Sequence, residues 1–118
     1  MIKLALIILL QIGLAYPVYA DERSLTWGLG MLKSISGIIG AAEACNNGHI
    51  RADAISAYRA ALKALVKNGV IPEEDISFII DMNARTALTI KKDFLRDGPI
   101  SCSELPETWQ GIKADMGL

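Results

Sequence analysis

Three punctuation points cut this chain into four helix-length pieces, and that division limits the fold more than any other feature. They are Asn46-Asn47-Gly48, Lys67-Asn68-Gly69 with Pro72 behind it, and Asp97-Gly98-Pro99. Between Ser24 and Asn46, apolar residues recur at helical spacing: Leu25, Leu32, Ile35, Ile38 or Ile39, Ala42 and Cys45. Beside them runs a row of small residues, Gly30, Ser34, Gly37, Ala41 and Ala44. Such a row lets another helix approach closely, although each glycine costs about 1 kcal/mol relative to alanine. Gly48 suits the left-handed position that ends this first helix.

The second piece, Ile50 to Asn68, has Ile55, Tyr58, Leu62, Leu65 and Val66 on one face. Its end reads as a Schellman stop, with Gly69 left-handed and Val70 folding back on Leu65. The third opens at Pro72 with Glu73, Glu74 and Asp75 complementing the helix dipole. Ile76, Ile79, Ile80, Ala84, Ala87, Leu88, Phe94 and Leu95 carry its periodicity, over a length that allows a break between Asn83 and Thr89. The fourth piece is short. Ser103 is its expected N-cap, Pro106 fits the first turn, and Trp109, Ile112 and Met116 share a face. No strand-like alternation occurs. The expected fold is all-α, a small antiparallel array of about four helices.

The N-terminus has the layout of a cleaved secretory signal peptide. Lys3 precedes an apolar run from Leu4 to Leu14, Pro17 follows, and Val18-Tyr19-Ala20 places small or β-branched residues before a cleavage point. Residues 1–20 are therefore expected to be removed, leaving 21–118 as one helical domain. The run is shorter than the ~20 apolar residues that span a bilayer, so no stable membrane insertion is expected after cleavage. Its brevity favours a bacterial chain, periplasmic or secreted.

Removing residues 1–20 takes away only Lys3 among the charges. Of 12 basic and 13 acidic residues, 11 and 13 remain, a net charge of −2. That balance argues against nucleic-acid binding, which needs a concentrated basic excess, and against a polybasic membrane-surface role. The two cysteines, Cys45 and Cys102, have one intramolecular pairing in an oxidising compartment. That bridge would join the end of the first helix to the start of the fourth. It would stabilise the fold by about 4 kcal/mol in the chain-entropy model.

Catalytic chemistry is thin. His49 is the only histidine, in a turn, with no ligand spacing around it for a metal. There is no G-x-S-x-G elbow, and the disulfide takes both thiols from any cysteine–histidine pair. Glu73-Glu74-Asp75 are adjacent on a helix and diverge. The half-resemblance of residues 67–74 to a calcium loop lacks the acids at the first, third and fifth positions. Gly28-x-Gly30 follows no strand, so it is no dinucleotide fingerprint. No enzyme activity, cofactor or metal is expected.

The candidate interface residues are Trp27, Gly30, Gly37, Ala41 and Trp109. The small residues could serve contact within the chain or between two copies in a homodimer. The tryptophans could pin the termini to the core or anchor a partner. The tail Trp109-Gln110-Gly111-Ile112-Lys113-Ala114-Asp115-Met116 resembles the end of the small periplasmic acid-stress chaperones, which are signal-bearing helical proteins with one disulfide. That resemblance implies client binding through apolar surface exposed in acid. With every acid neutral and His49 charged, residues 21–118 would carry about +12 side-chain charges, and self-repulsion could loosen the fold. Small periplasmic immunity proteins share the same gross description. The functional expectation is a non-enzymatic protein-binding protein of inhibitor, immunity or adaptor type. A stress chaperone or a secreted host-directed effector are the alternatives.

Overall fold

The computed structural model describes residues 17–97 and 99–118, and these are all-helical apart from short connections. Helix α1 spans Pro17–Ala44, α2 Gly48–Lys67, α3 Ile76–Asp97 and α4 Pro99–Met116, with a single 3-10 turn at Glu73–Asp75 before α3. The expected cleavage point after Ala20 falls in the first turn of α1. The apolar run Leu4–Leu14 lies outside the described residues, as does Gly98. The apolar N-terminal stretch fits a signal sequence.

The chain reverses direction at the joints through backbone capping. At the end of α1 the left-handed residue is Asn46 (φ 54°), not Gly48. Asn47 N–H donates to the Ala42 carbonyl at 2.9 Å, and Asn46 N–H donates to Glu43. Asparagine tolerates this region better than other side chains, which frees Gly48 to begin α2. Asn47 then caps α2, its Oδ1 accepting from Ile50 N–H at 3.0 Å. The stop after α2 follows the sequence reading: Gly69 has φ 76°, and Val70 N–H donates to the Leu65 carbonyl at 2.9 Å. Two further sequence readings differ from the structure. Helix α3 is continuous through Asn83–Thr89. Helix α4 starts at Pro99, so Ser103 lies inside it and Pro106 is an interior proline.

Helix α1 is the axis of the molecule. Among the described residues it supplies six of the fourteen buried apolar side chains: Met31, Leu32, Ile35, Ile38, Ala41 and Ala42. It touches all three other helices, α3 and α2 most extensively. Ser24–Ala44 is long and apolar enough to cross a membrane by length and composition, yet half of it is buried inside this fold. An amphipathic helix needs one apolar stripe, whereas a helix flanked on three sides is apolar nearly all round. Glu43 beside Arg51, with Gly28 beside Leu65, makes α1 and α2 antiparallel. Glu43 beside Lys91, with Leu29 near Met82, makes α1 and α3 parallel.

Helices α1 and α3 come very close at Gly40. A Cβ there would run into the Ala87 backbone carbonyl. Cys45 and Cys102 are bridged, with Cα atoms 5.5 Å apart. The bond ties the start of α4 to the end of α1 and suits an oxidising environment.

Candidate functional site

Helices α2 and α3 both lean on α1 but scarcely on each other, which leaves an open groove between them. Its volume is about 380 Å³. Ser36, Ile39 and Glu43 of α1 form the floor, and Tyr58 stands on the α2 wall. The α3 wall is Ile80, Asn83, Ala84, Ala87, Leu88 and Lys91. Helix α3 turns one stripe, Ile79, Asn83, Ile90 and Phe94, toward the core. It still has apolar residues left over. Five of the seven exposed large apolar side chains among the described residues lie on it: Phe78, Ile80, Met82, Leu88 and Leu95. Leu88, at the groove, is 51% exposed.

The polar groups of the groove sit at its two ends. At one end the Tyr58 hydroxyl donates to Asn83 Oδ1 at 2.8 Å, a side-chain hydrogen bond that joins α2 to α3. Asn83 is only 6% exposed. Burial pushes the Tyr58 hydroxyl above its ordinary pKa. Ser36 donates to the Leu32 carbonyl one turn back, which satisfies it within α1. At the other end Glu43 receives cations from both walls. Arg51 Nε lies 3.0 Å from its carboxylate and Lys91 Nζ 3.7 Å.

A second polar cluster fastens α4 to α2. Asp53 Oδ2 accepts from Trp109 Nε1 at 2.8 Å and from Lys113 Nζ at 2.9 Å. The Lys113 ammonium also lies 5.3 Å from the Trp109 ring centroid, within cation–π range. The Lys113 hydrogen bond, then that of Trp109, holds the Asp53 carboxyl below its ordinary pKa, against the opposing effect of burial. Both donors are on α4 and the acceptor is on α2, so the cluster is a tertiary clasp.

The residues singled out in the sequence are spread over different surroundings. Trp109 and Ala41 are buried within the single chain. Trp27 is exposed. Gly30 is exposed and faces open space, while a Cβ on Gly37 would make ordinary contact with Ile90. Gly30 borders a smaller cavity of about 290 Å³ with Leu29, Lys33, Met82, Asn83 and Thr86. His49 is exposed at the start of α2. No group of three potential metal-ligating side chains occurs among the described residues.

No family model, curated protein or solved structure matches this chain. The groove residues Tyr58, Ile80, Asn83 and Leu88 were not singled out as a site in the sequence. The signal for them was the breadth of the α3 apolar arc. Ile79 and Phe94 belong to one stripe, while Ile80 lies about 100° round the helix from Ile79 and Leu88 and Leu95 about 160–180°.

Proposed function

We propose that this is a small exported, non-enzymatic protein-binding protein that acts in an oxidising compartment, the bacterial periplasm or the extracellular space. The observation that carries the reading is the groove between α2 and α3. Its α3 wall is largely apolar, Tyr58 stands on the α2 side, the central helix forms the floor, and exposed leucine and isoleucine side chains are left over after the core is complete. Exposed apolar surface that is contiguous rather than scattered marks interaction sites. A groove bounded by two helices is the shape that receives an amphipathic helix. The Cys45–Cys102 bond and the apolar N-terminal stretch support export.

The test is Leu88→Glu. The side chain is exposed, so the variant should keep its helix content and unfolding midpoint. Affinity for the physiological partner, identified by crosslinking in the native cell envelope, should fall at least tenfold. A variant that binds its partner as the parent does would remove the groove as the docking face.

A further inference from the structure

The groove also shows what kind of helix it takes. We infer that its occupant is an acidic amphipathic helix of another protein, whose apolar stripe meets Ile80, Ala84 and Leu88 and whose flanking carboxylates meet cations on both rims. The inference rests on the groove being the docking face.

Charge is segregated on this molecule. The chain carries more acids than bases. The groove lining holds one of each, Glu43 and Lys91, but the charged residues that helical spacing sets just outside it are mostly cations. On α2, Arg51 closes one end, and Arg59, just over two turns along, lies about 80° further round the helix, on the outer side of Tyr58. Arg59 has no carboxylate within ion-pair distance among the described residues, whereas Arg51 shares Glu43 with Lys91. One carboxylate between two cations leaves that end net positive. On α3, helical spacing sets Asp81, Arg85 and Lys92 along the outer edge beyond Leu88, again with cations in excess. The acids gather elsewhere, at Glu73, Glu74 and Asp75 in the 3-10 turn and at Glu104, Glu107 and Asp115 on α4.

Length fits as well. Ile80 to Lys91 is twelve residues of helix, a rise of about 16 Å at 1.5 Å per step, or roughly three turns of an occupant lying alongside. A second copy of this chain is a poor occupant. Its acid-rich helix, α4, has already buried Leu105 and Trp109 in its own core. Opposite charges across such a rim raise the association rate and exclude basic competitors.

The experiment places a photocrosslinking residue at the groove, Ala84→p-benzoylphenylalanine, in the full chain in its native cells, with Glu107→p-benzoylphenylalanine as the control face. The adduct is mapped by mass spectrometry. The complex is then measured with Arg59→Glu/Lys92→Glu and with Lys67→Glu, which lies away from the groove. The expected adduct is a helical segment with apolar residues at i, i+3 or i+4 and i+7, flanked by Asp or Glu. Arg59→Glu/Lys92→Glu should weaken it tenfold or more, with a steep loss in salt, and Lys67→Glu should change it less than twofold. An adduct with a basic or uncharged segment, with a second copy of this chain, with lipid, or no adduct at Ala84 would overturn the inference. If Leu88→Glu abolishes the complex while the rim reversals leave it unchanged, the docking face stands and the acidic occupant falls. If Leu88→Glu is silent, both fall.

Discussion

The same substitution at two glycines of α1 should have opposite effects. At Gly40, a methyl would lie within 2.7 Å of the Ala87 carbonyl carbon, closer still to its oxygen. Both atoms are backbone, so no rotamer change relieves the clash and α1 and α3 must move apart. Overpacking of this kind costs about 1–3 kcal/mol, or more where the backbone must shift. Alanine returns up to about 1 kcal/mol of helix propensity over glycine. Gly40→Ala should therefore be a net loss of about 1–2 kcal/mol. For a domain of this size that lowers Tm by roughly 5–15 °C. At Gly30, nothing lies within 4 Å of the added methyl. There the propensity gain is unopposed, and Gly30→Ala should stabilise by about 0.5–1 kcal/mol and raise Tm by a few degrees. Urea and thermal unfolding of residues 21–118, followed by far-UV circular dichroism with the disulfide intact, reads both. A Gly40→Ala protein as stable as the parent would refute the close packing of α1 on α3 and the reasoning built on it.

Two further predictions concern the way α4 is held. Hydrogen bonds keep the folded-state Asp53 carboxyl below its ordinary pKa, so its contribution is present above the unfolded-state pKa of about 4. That contribution is lost as the pH falls toward the folded value, and Asp53→Asn should flatten part of the acid limb below about pH 4. Because the carboxylate is solvent-exposed, its loss at pH 7 should cost about 1 kcal/mol or less; superimposable acid limbs for the two proteins would show that the clasp is idle. The double substitution Cys45→Ser/Cys102→Ser should lower stability by about 2–4 kcal/mol while helix content survives in the absence of denaturant. A denaturation midpoint equal to the parent's would count against the bridge as a stabilising tether.

The helices were legible in the sequence because their signals are local. Apolar spacing, Pro72, and the Asn68-Gly69 stop each act within a few residues, and α2 matches its expected span closely. The misread ends have local causes of the same kind. Asn46 and Gly48 are both able to take a left-handed backbone, and which one does so depends on where α2 must begin. Ser103 and Pro106 looked like a helix start, but α4 starts at Pro99, closer to the end of α3.

Faces were less legible than helices. The row Gly30, Ser34, Gly37, Ala41 and Ala44 reads as one contact stripe, yet Gly30 is open and Ala41 is buried, and the glycine with the least room is Gly40, outside that row. A helix that packs on three neighbours has no single apolar face for periodicity to find. For the same reason α1 resembles a membrane span in composition while serving as the core of this fold.

By itself, then, the sequence determined the helical class, the four helical pieces among the described residues and the pairing open to its two cysteines. Each depends on spacing along the chain or on composition. Only the tertiary structure decided which apolar residues of α3 are core and which are left at the groove, that Asp53 meets Trp109 and Lys113, and that Tyr58 meets Asn83. Those pairings join residues far apart in sequence, and they depend on the rotation of each helix about its axis. That rotation is set by how side chains interlock across the interface, at Gly40 above all, and an apolar residue carries the same hydrophobicity on either side of it.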